Sequence, residues 1–281
     1  MSSRMHQVAV VNEEIVERGE YRPAGSAEPV EIGAVLAAAR AGTVSYGPDH
    51  RPAPTGPFSG VVEVTAEGSM AAAERLSVPG RSGSSGGPGP VAVLNFASAR
   101  NPGGGYLRGA RAQEEDLCRA ALLYHCLLAA PDYYEAHRAS TDLRYSHRVI
   151  WSPEVPVIRD ARGDLRADPY TVSFLTSPAP NAGQLALRAG GAAVDVRAEL
   201  VERAGRVLGV AAAHGVRELV LGAWGCGVFR NDPAEVADAF DQALATHGAP
   251  FTRVVFAVWD RTPVSANRAA FEARFGARPS A

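Results

Sequence analysis

The stretch that decides the fold is Asn101-Pro-Gly-Gly-Gly-Tyr-Leu-Arg-Gly-Ala-Arg-Ala-Gln-Glu-Glu-Asp116, which follows the apolar run Val91-Ala-Val-Leu-Asn-Phe96. Three glycines let the backbone turn through positive φ and approach a partner with no Cβ in the way. Facing outward, they would cradle a phosphate-rich ligand. From Gln113 on, Leu117, Ala120, Ala121, Tyr124, Leu127 and Leu128 recur at helical spacing, so the pattern predicts a helix over 113–129 with Glu114 and Glu115 in its first turn. A buried strand, a glycine loop and an acidic helix start form the strand-end geometry at which α/β sheets bind ligands.

Working outward, short apolar segments alternate with amphipathic ones. The predicted strands are 60–66, 91–96, 149–157, 171–176, 218–222 and 253–259; the predicted helices are 69–76, 113–129, 194–213 and 233–247. Such an alternation implies a sheet covered by helices on both faces. Upstream, Met5, Val8, Val11 and Ile15 suit one face of a helix over 4–18 that stops at Gly19, and 30–40 reads as a second helix. Residues 1–59 are therefore expected as a helical N-terminal extension on a single domain spanning 1–281. Gly, Ser and Pro dominate 79–90, a predicted flexible surface loop.

Composition sets limits. The 281 residues, 46% of them hydrophobic, suffice for one good core, and the net charge of −2 does not suit a general or sequence-specific nucleic-acid binder. All 28 cationic residues are Arg, so any phosphate clamp must use guanidinium. No run reaches the roughly 18–20 apolar residues of a membrane span, and no signal-peptide core precedes residue 20. The expectation is a cytoplasmic protein. Cys118, Cys126 and Cys226 have no metal-ligand spacing, so neither metal nor cofactor is expected.

The triple glycine Gly103-Gly104-Gly105, seven residues, then Gln113-Glu114-Glu115 resembles the signature of poly(ADP-ribose) glycohydrolases of the short bacterial type, which are built on a macrodomain. Further stretches carry the likeness: Ser152-Pro-Glu-Val-Pro-Val157, Ser177-Pro-Ala-Pro-Asn181 and Gly222-Ala-Trp-Gly-Cys-Gly-Val-Phe229. The resemblance implies a three-layer α/β/α sandwich with a mixed central sheet. It also implies a monomeric hydrolase that cleaves ribose–ribose O-glycosidic bonds, acts on poly(ADP-ribose) and ADP-ribosylated proteins, and releases ADP-ribose. Reversal of ADP-ribosylation in the DNA damage response would be its setting. Two other readings keep the same fold: a macrodomain that binds ADP-ribose without cleaving it, and a hydrolase that removes single ADP-ribose units from protein or nucleic acid.

Alone, acidic residues in a first turn only complement the helix dipole. The resemblance gives Glu115 the role of general acid and then base, and gives Glu114 the ribose hydroxyls, with Gln113 beside them. Adjacent helix residues point about 100° apart, so the pair cannot flank a sugar as the opposed carboxylates of ordinary glycosidases do. A substrate diphosphate oxygen would then stabilise the cationic sugar. A helix N-terminus favours an ionised carboxylate, so the acid needs like-charged neighbours, here Glu114 and the diphosphate, to keep its proton.

Gly225-Cys-Gly-Val-Phe229 follows an apolar strand and precedes Asn231-Asp-Pro233, a helix start in which Asp232 caps and Pro233 opens the first turn. By resemblance, Gly225, Cys226, Gly227 and Val228 form the diphosphate loop and Phe229 presses on the terminal ribose. Of Asn95 and Asn101 at the strand exit, Asn101 is chosen for the distal ribose, although Asn-Pro also favours a turn. Asn181 reads as structural and His125 as a packed helix residue. Trp224 and Tyr106 border the glycine loops, where an aromatic ring can either stack on the ligand or close the core.

Overall fold

The computed structural model describes residues 2–77 and 90–276, so all of the expected 79–90 loop except Pro90 lies outside the described residues. The chain opens with α1 (Ser2–Arg18), a small antiparallel ribbon of β1 (Glu20–Tyr21) and β2 (Val30–Glu31), and α2 (Gly33–Ala41). Next come β3 (Val44–Tyr46), β4 (Val61–Thr65), α3 (Ser69–Ser77) and β5 (Val91–Phe96). After a 3-10 turn at Tyr106–Arg108 follow α4 (Gln113–Ala120), α5 (Leu123–Leu127), α6 (Pro131–Ala139), β6 (Val149–Arg159) and β7 (Leu165–Ser177). The remainder is α7 (Ala182–Arg188), α8 (Arg197–Ala213), β8 (Glu218–Leu221), α9 (Pro233–His247), β9 (Arg253–Ala257) and α10 (Ala266–Phe275).

One seven-stranded sheet has the order β3-β6-β7-β5-β8-β9-β4. The five strands from β7 to β4 run parallel, and β6 pairs antiparallel with both β7 and β3. β5 lies at its centre, and its alternation divides the core. Val91 and Val93 join the apolar layer with Leu36, Leu76, Leu117 and Leu122, whereas Ala92 and Leu94 join that with Leu200, Val207, Phe240 and Phe271. Burial on both faces is why β5 is apolar throughout except for Asn95. The three-layer α/β/α architecture with a mixed sheet is thus present, with α1, α2, α3, α4 and α5 on one side and α8, α9 and α10 on the other.

Several elements differ from the sequence reading. The helix expected over 113–129 is two helices, because Ala121 is extended (φ −114°, ψ 159°), bridges Val157, and is followed by Leu122 donating its N–H to the Pro156 carbonyl at 3.1 Å. β6 thus takes the backbone groups that a continuous helix would use. The helix expected over 30–40 starts at Gly33, since Val30 and Glu31 pair with β1. β7 starts six residues earlier than expected, at Leu165, as the outer half of a hairpin with β6. Unread in the sequence were β1, β3, α6, α7 and α10, although Pro131 at the start of α6 and the Ser265 cap of α10 are ordinary start signals.

Arg203 of α8 ties the loops together beneath the parallel strands' carboxyl ends. Fully buried, it donates to the carbonyls of Pro178 (2.6 Å), Arg144 (2.8 Å) and Tyr145 (3.1 Å). Burial lowers its pKa to about 10, which leaves it charged at neutrality. Arg203→Met fills similar volume but leaves three carbonyls without that donor. Urea unfolding should show a stability loss of about 3 kcal/mol; an unchanged midpoint would contradict the role of the clamp.

Candidate active site

The carboxyl ends of β5, β8 and β9 open into a cavity of about 1340 Å³. Asn101, Gln113, Glu114, Glu115, Gly225, Gly227, Val228 and Phe229 line it together, with Ser98, Tyr145, Trp259 and residues of α1 and α3. Of the residues singled out from the sequence, Gly103, Gly104, Gly105 and Cys226 are not among its lining residues.

Gln113 locks α4 onto β5. Its Oε1 accepts the Phe96 N–H (2.9 Å), and its Nε2 donates to the Leu94 carbonyl (2.7 Å) and the Ser69 hydroxyl (3.2 Å). The amide therefore substitutes for a neighbouring strand just where β5 leaves the sheet. One residue on, Glu114 is buried, accepting the Ser98 N–H at Oε2 (2.7 Å) and Asn95 Nδ2 at Oε1 (3.3 Å). Asn95 in turn donates to Thr176 of β7 at 3.2 Å. Burial, reinforced by the neighbouring Glu115, raises the Glu114 pKa to about 8 against the pull of these donors. Asn95 thus holds Glu114 from inside the sheet, while Asn101, the expected ribose ligand, is exposed on the cavity wall.

Glu115 is buried and asymmetric. Its Oε1 accepts the Gly105 N–H at 2.8 Å, whereas Oε2 has no hydrogen-bond partner among the described residues. Gly104 lies against both carboxylates with φ 60°, and a Cβ there would overlap Glu115 Oε1 and come within 3.1 Å of Glu114 Oε2. This corrects the expectation that the triple glycine cradles phosphate. The Gly105 N–H is taken by Glu115 and the Gly104 N–H by the Asn101 carbonyl (2.9 Å). Gly104 is free of a side chain because two carboxylates press against it, whereas a Cβ on Gly103 would meet Tyr124 and Cys118 and one on Gly105 would meet Ala110.

The second glycine loop differs from the first in what its backbone N–H groups meet. Among the described residues, the N–H groups of Gly227, Val228 and Phe229 donate to no protein acceptor. Asn231 braces the loop by donating Nδ2 to the carbonyls of Pro180 (2.8 Å) and Gly225 (3.1 Å), and Asp232 caps α9 through the Ala234 N–H (2.7 Å). Burial pushes the Cys226 thiol up to about 12, so it is no nucleophile near neutrality. Phe229 packs on Tyr145, which sits at a positive φ of 61° with ring centroids 6.0 Å apart. His137 supports that turn: its pKa is lowered by burial to about 4, so it is neutral, and its Nε2 accepts the Ser146 N–H at 3.1 Å. Nothing in the sequence pattern marked Ser98, Tyr145 or His137.

The remaining candidates are structural. Trp224 is fully buried and donates to the Ser177 carbonyl at 3.0 Å, and Tyr106 packs on Tyr124 in the core, so neither reaches the cavity. Asn181 caps α7, and His125 contacts Glu13 of α1 at 3.1 Å.

The family model of the microbial-type poly(ADP-ribose) glycohydrolase catalytic domain matches residues 9–160, a span that includes the triple glycine and both carboxylates. Among solved structures, the poly(ADP-ribose) glycohydrolase of Thermomonospora curvata is 44% identical. It covers 97% of this chain and 100% of its own, with a TM-score of 0.83. Its complex with the inhibitor ADP-HPD superposes at 0.82 with the same identity and coverage. The Deinococcus radiodurans enzyme in complex with ADP-ribose is 41% identical over 91% of this chain and 98% of its own, at a TM-score of 0.75. No curated protein matches the chain.

The raised Glu114 pKa has a thermodynamic consequence. With a folded-state value of about 8 above the ordinary 4.5, the folded protein holds this proton more tightly than the unfolded chain. That contribution to stability is complete below pH 4.5 and is lost as pH rises through about 8. Unfolding measured across this window should show wild type losing stability relative to Glu114→Gln by up to about 1.4 kcal/mol per pH unit. Parallel curves would exclude a buried carboxyl that holds its proton.

Proposed function

The chain belongs to the microbial-type poly(ADP-ribose) glycohydrolase family, and on that premise we propose that it hydrolyses the ribose–ribose O-glycosidic bonds of poly(ADP-ribose), releasing ADP-ribose, with Glu115 as general acid and base. The single observation that carries the assignment to Glu115 is its divided carboxylate. Oε1 accepts the Gly105 N–H and so carries no proton toward it; Oε2 is the oxygen left to hold and deliver one.

In the first step the Oε2 proton passes to the leaving 2′-oxygen while the bond from that oxygen to C1 of the terminal ribose breaks. C1 then carries positive charge; adjacent helix residues cannot flank the sugar with a second carboxylate, so an oxygen of the substrate's own diphosphate would offset it. In the second step the ionised Glu115 removes a proton from water, whose oxygen bonds to C1. ADP-ribose is released and Glu115 is protonated again. Glu114, with one acceptor position on each oxygen taken by Asn95 and Ser98, has lone pairs remaining for the ribose hydroxyls. The free N–H groups of Gly227, Val228 and Phe229 suit the diphosphate, Phe229 the terminal ribose, and Asn101 the distal ribose.

A binding module needs no proton donor, and a buried carboxylate oxygen without a partner is a costly feature for a protein that only holds ADP-ribose. Glu115→Gln separates the two. Turnover of poly(ADP-ribose) should fall by about 10²–10⁴-fold while the Kd for ADP-ribose measured by calorimetry stays the same; full activity would remove Glu115 from the reaction. Digestion of chain-modified against singly modified protein distinguishes chain cleavage from removal of the last unit.

Gly104→Ala probes the backbone that supports the acid. The added methyl meets Glu115 Oε1 at a φ that only glycine adopts easily. Displacing the carboxylate by about 1 Å should lower kcat about 100-fold with a smaller change in KM. An active Gly104→Ala enzyme would show that Glu115 needs no such close fit.

A further inference from the structure

The cavity is larger than the roughly 300–1,000 Å³ that encloses one small ligand. Besides the strand ends, its lining takes in an arm of residues from α3, α4, the N-terminal half of α1 and the turn joining β6 to β7. Met70, Val8 and Tyr170 give it apolar walls, and Arg4, Arg111, Arg119, Arg159 and Arg162 give it cations. The terminal-unit residues Gly227, Val228, Phe229 and Tyr145 line the opposite part. Glu115 lies one helical turn, about 6 Å of rise, before Arg119 on α4.

Most carboxylates of the arm are already engaged. Glu74 is held by Arg166 (3.1 Å), Asp116 by Arg119, and Asp160 accepts the N–H groups of Arg162 (2.9 Å) and Asp164 (3.0 Å). Arg4, Arg111 and Arg162 have no carboxylate partner among the described residues. Arg159 is buried: its Nε donates to Asn12 (2.9 Å), Nη1 to the Gly163 carbonyl (2.8 Å), and Nη2 has no partner. Of the charges near it, Asp164 favours its cation, but burial still lowers its pKa. A buried guanidinium with an unused donor, beside three free arginines and continuous with the reacting carboxylate, suits a diphosphate.

Resting on the glycohydrolase reading, we propose that this arm is the subsite for the ADP-ribose unit on the leaving side of the scissile bond, a nucleoside diphosphate held by Arg111, Arg159 and Arg162. The protein then grips the chain on both sides of the bond it breaks, and its affinity for chains exceeds that for the product.

The test titrates Glu115→Gln protein with ADP-ribose and with a two-unit ADP-ribose oligomer. The proposal expects the oligomer to bind about tenfold or more tightly than ADP-ribose. Adding Arg111→Glu and Arg162→Glu should bring the oligomer to the affinity of ADP-ribose and leave the Kd for ADP-ribose itself within twofold. Should the Arg111 change weaken ADP-ribose as well, Arg4→Glu with Arg162→Glu makes the same comparison away from α4. Equal affinities in the parent, or an oligomer Kd insensitive to the charge reversals, would overturn the subsite. Failure of the wild-type enzyme to release ADP-ribose from chains would instead overturn the glycohydrolase reading, so the two failures are distinct.

Discussion

The site depends on the contact between a backbone without side chains at Gly104 and the carboxylates of Glu114 and Glu115. Two adjacent acids at a helix start ordinarily point into water, where each is hydrated. Here both are buried, and what replaces water is a small set of N–H donors: Gly105 for Glu115, Ser98 and Asn95 for Glu114. The chain reaches Glu115 only because residue 104 carries no Cβ and takes a left-handed turn. The short segment between the glycines and Gln113 then folds back as a 3-10 turn, so that the loop and the helix it precedes form one unit.

That unit is held from several directions. Gln113 stitches α4 to the end of β5, fixing the helix start against the central strand of the sheet. The end of α4 is secured differently. Where the helix breaks at Ala121, its last carbonyls lack the donors that a further turn would provide, and Asn12 of α1 supplies them, donating Nδ2 to the carbonyls of Arg119 (3.1 Å) and Cys118 (3.5 Å). The same α1 contacts the 3-10 turn, where His6 bonds the Leu107 carbonyl at 2.7 Å. The N-terminal helix is thus a brace for the helix that carries the carboxylates, which is why it packs on this face of the sheet.

How much of this was legible in the sequence follows from which forces act locally. The parallel strands and the long helices were readable, because burial on two faces or one imposes its own period on the chain. The Asp232-Pro233 helix start was equally plain, since a cap and a proline act within four residues. The break at Ala121 was not. Ala120-Ala-Leu-Leu123 contains no helix breaker, and the competing partner, the Pro156 carbonyl, lies more than thirty residues further along the chain. The glycines showed that the backbone must turn but not towards what, and the nearest anions turned out to be the protein's own. Asn95 was weighed against Asn101 at the strand exit for the distal ribose, and its partner Glu114 could be identified only once α4 lay across β5. Tyr145 and His137 left no trace, since a positive φ at a tyrosine and a buried histidine carry no sequence period.

The arrangement also settles an electrostatic difficulty that the sequence poses. Two carboxylates and a substrate diphosphate carry like charge, and in a partly dehydrated cavity their repulsion would be severe. Among the described residues no arginine pairs with either carboxylate, whose partners are N–H groups of Gly105, Ser98 and Asn95. What relieves it is proton retention. Burial raises Glu114 to about 8, so near neutral pH its protonated form predominates, and one of the two negative charges is absent when an anionic ligand arrives. The backbone N–H groups of Gly227, Val228 and Phe229, without a protein acceptor among the described residues, can meet the diphosphate with peptide dipoles and add no charged side chain to the site.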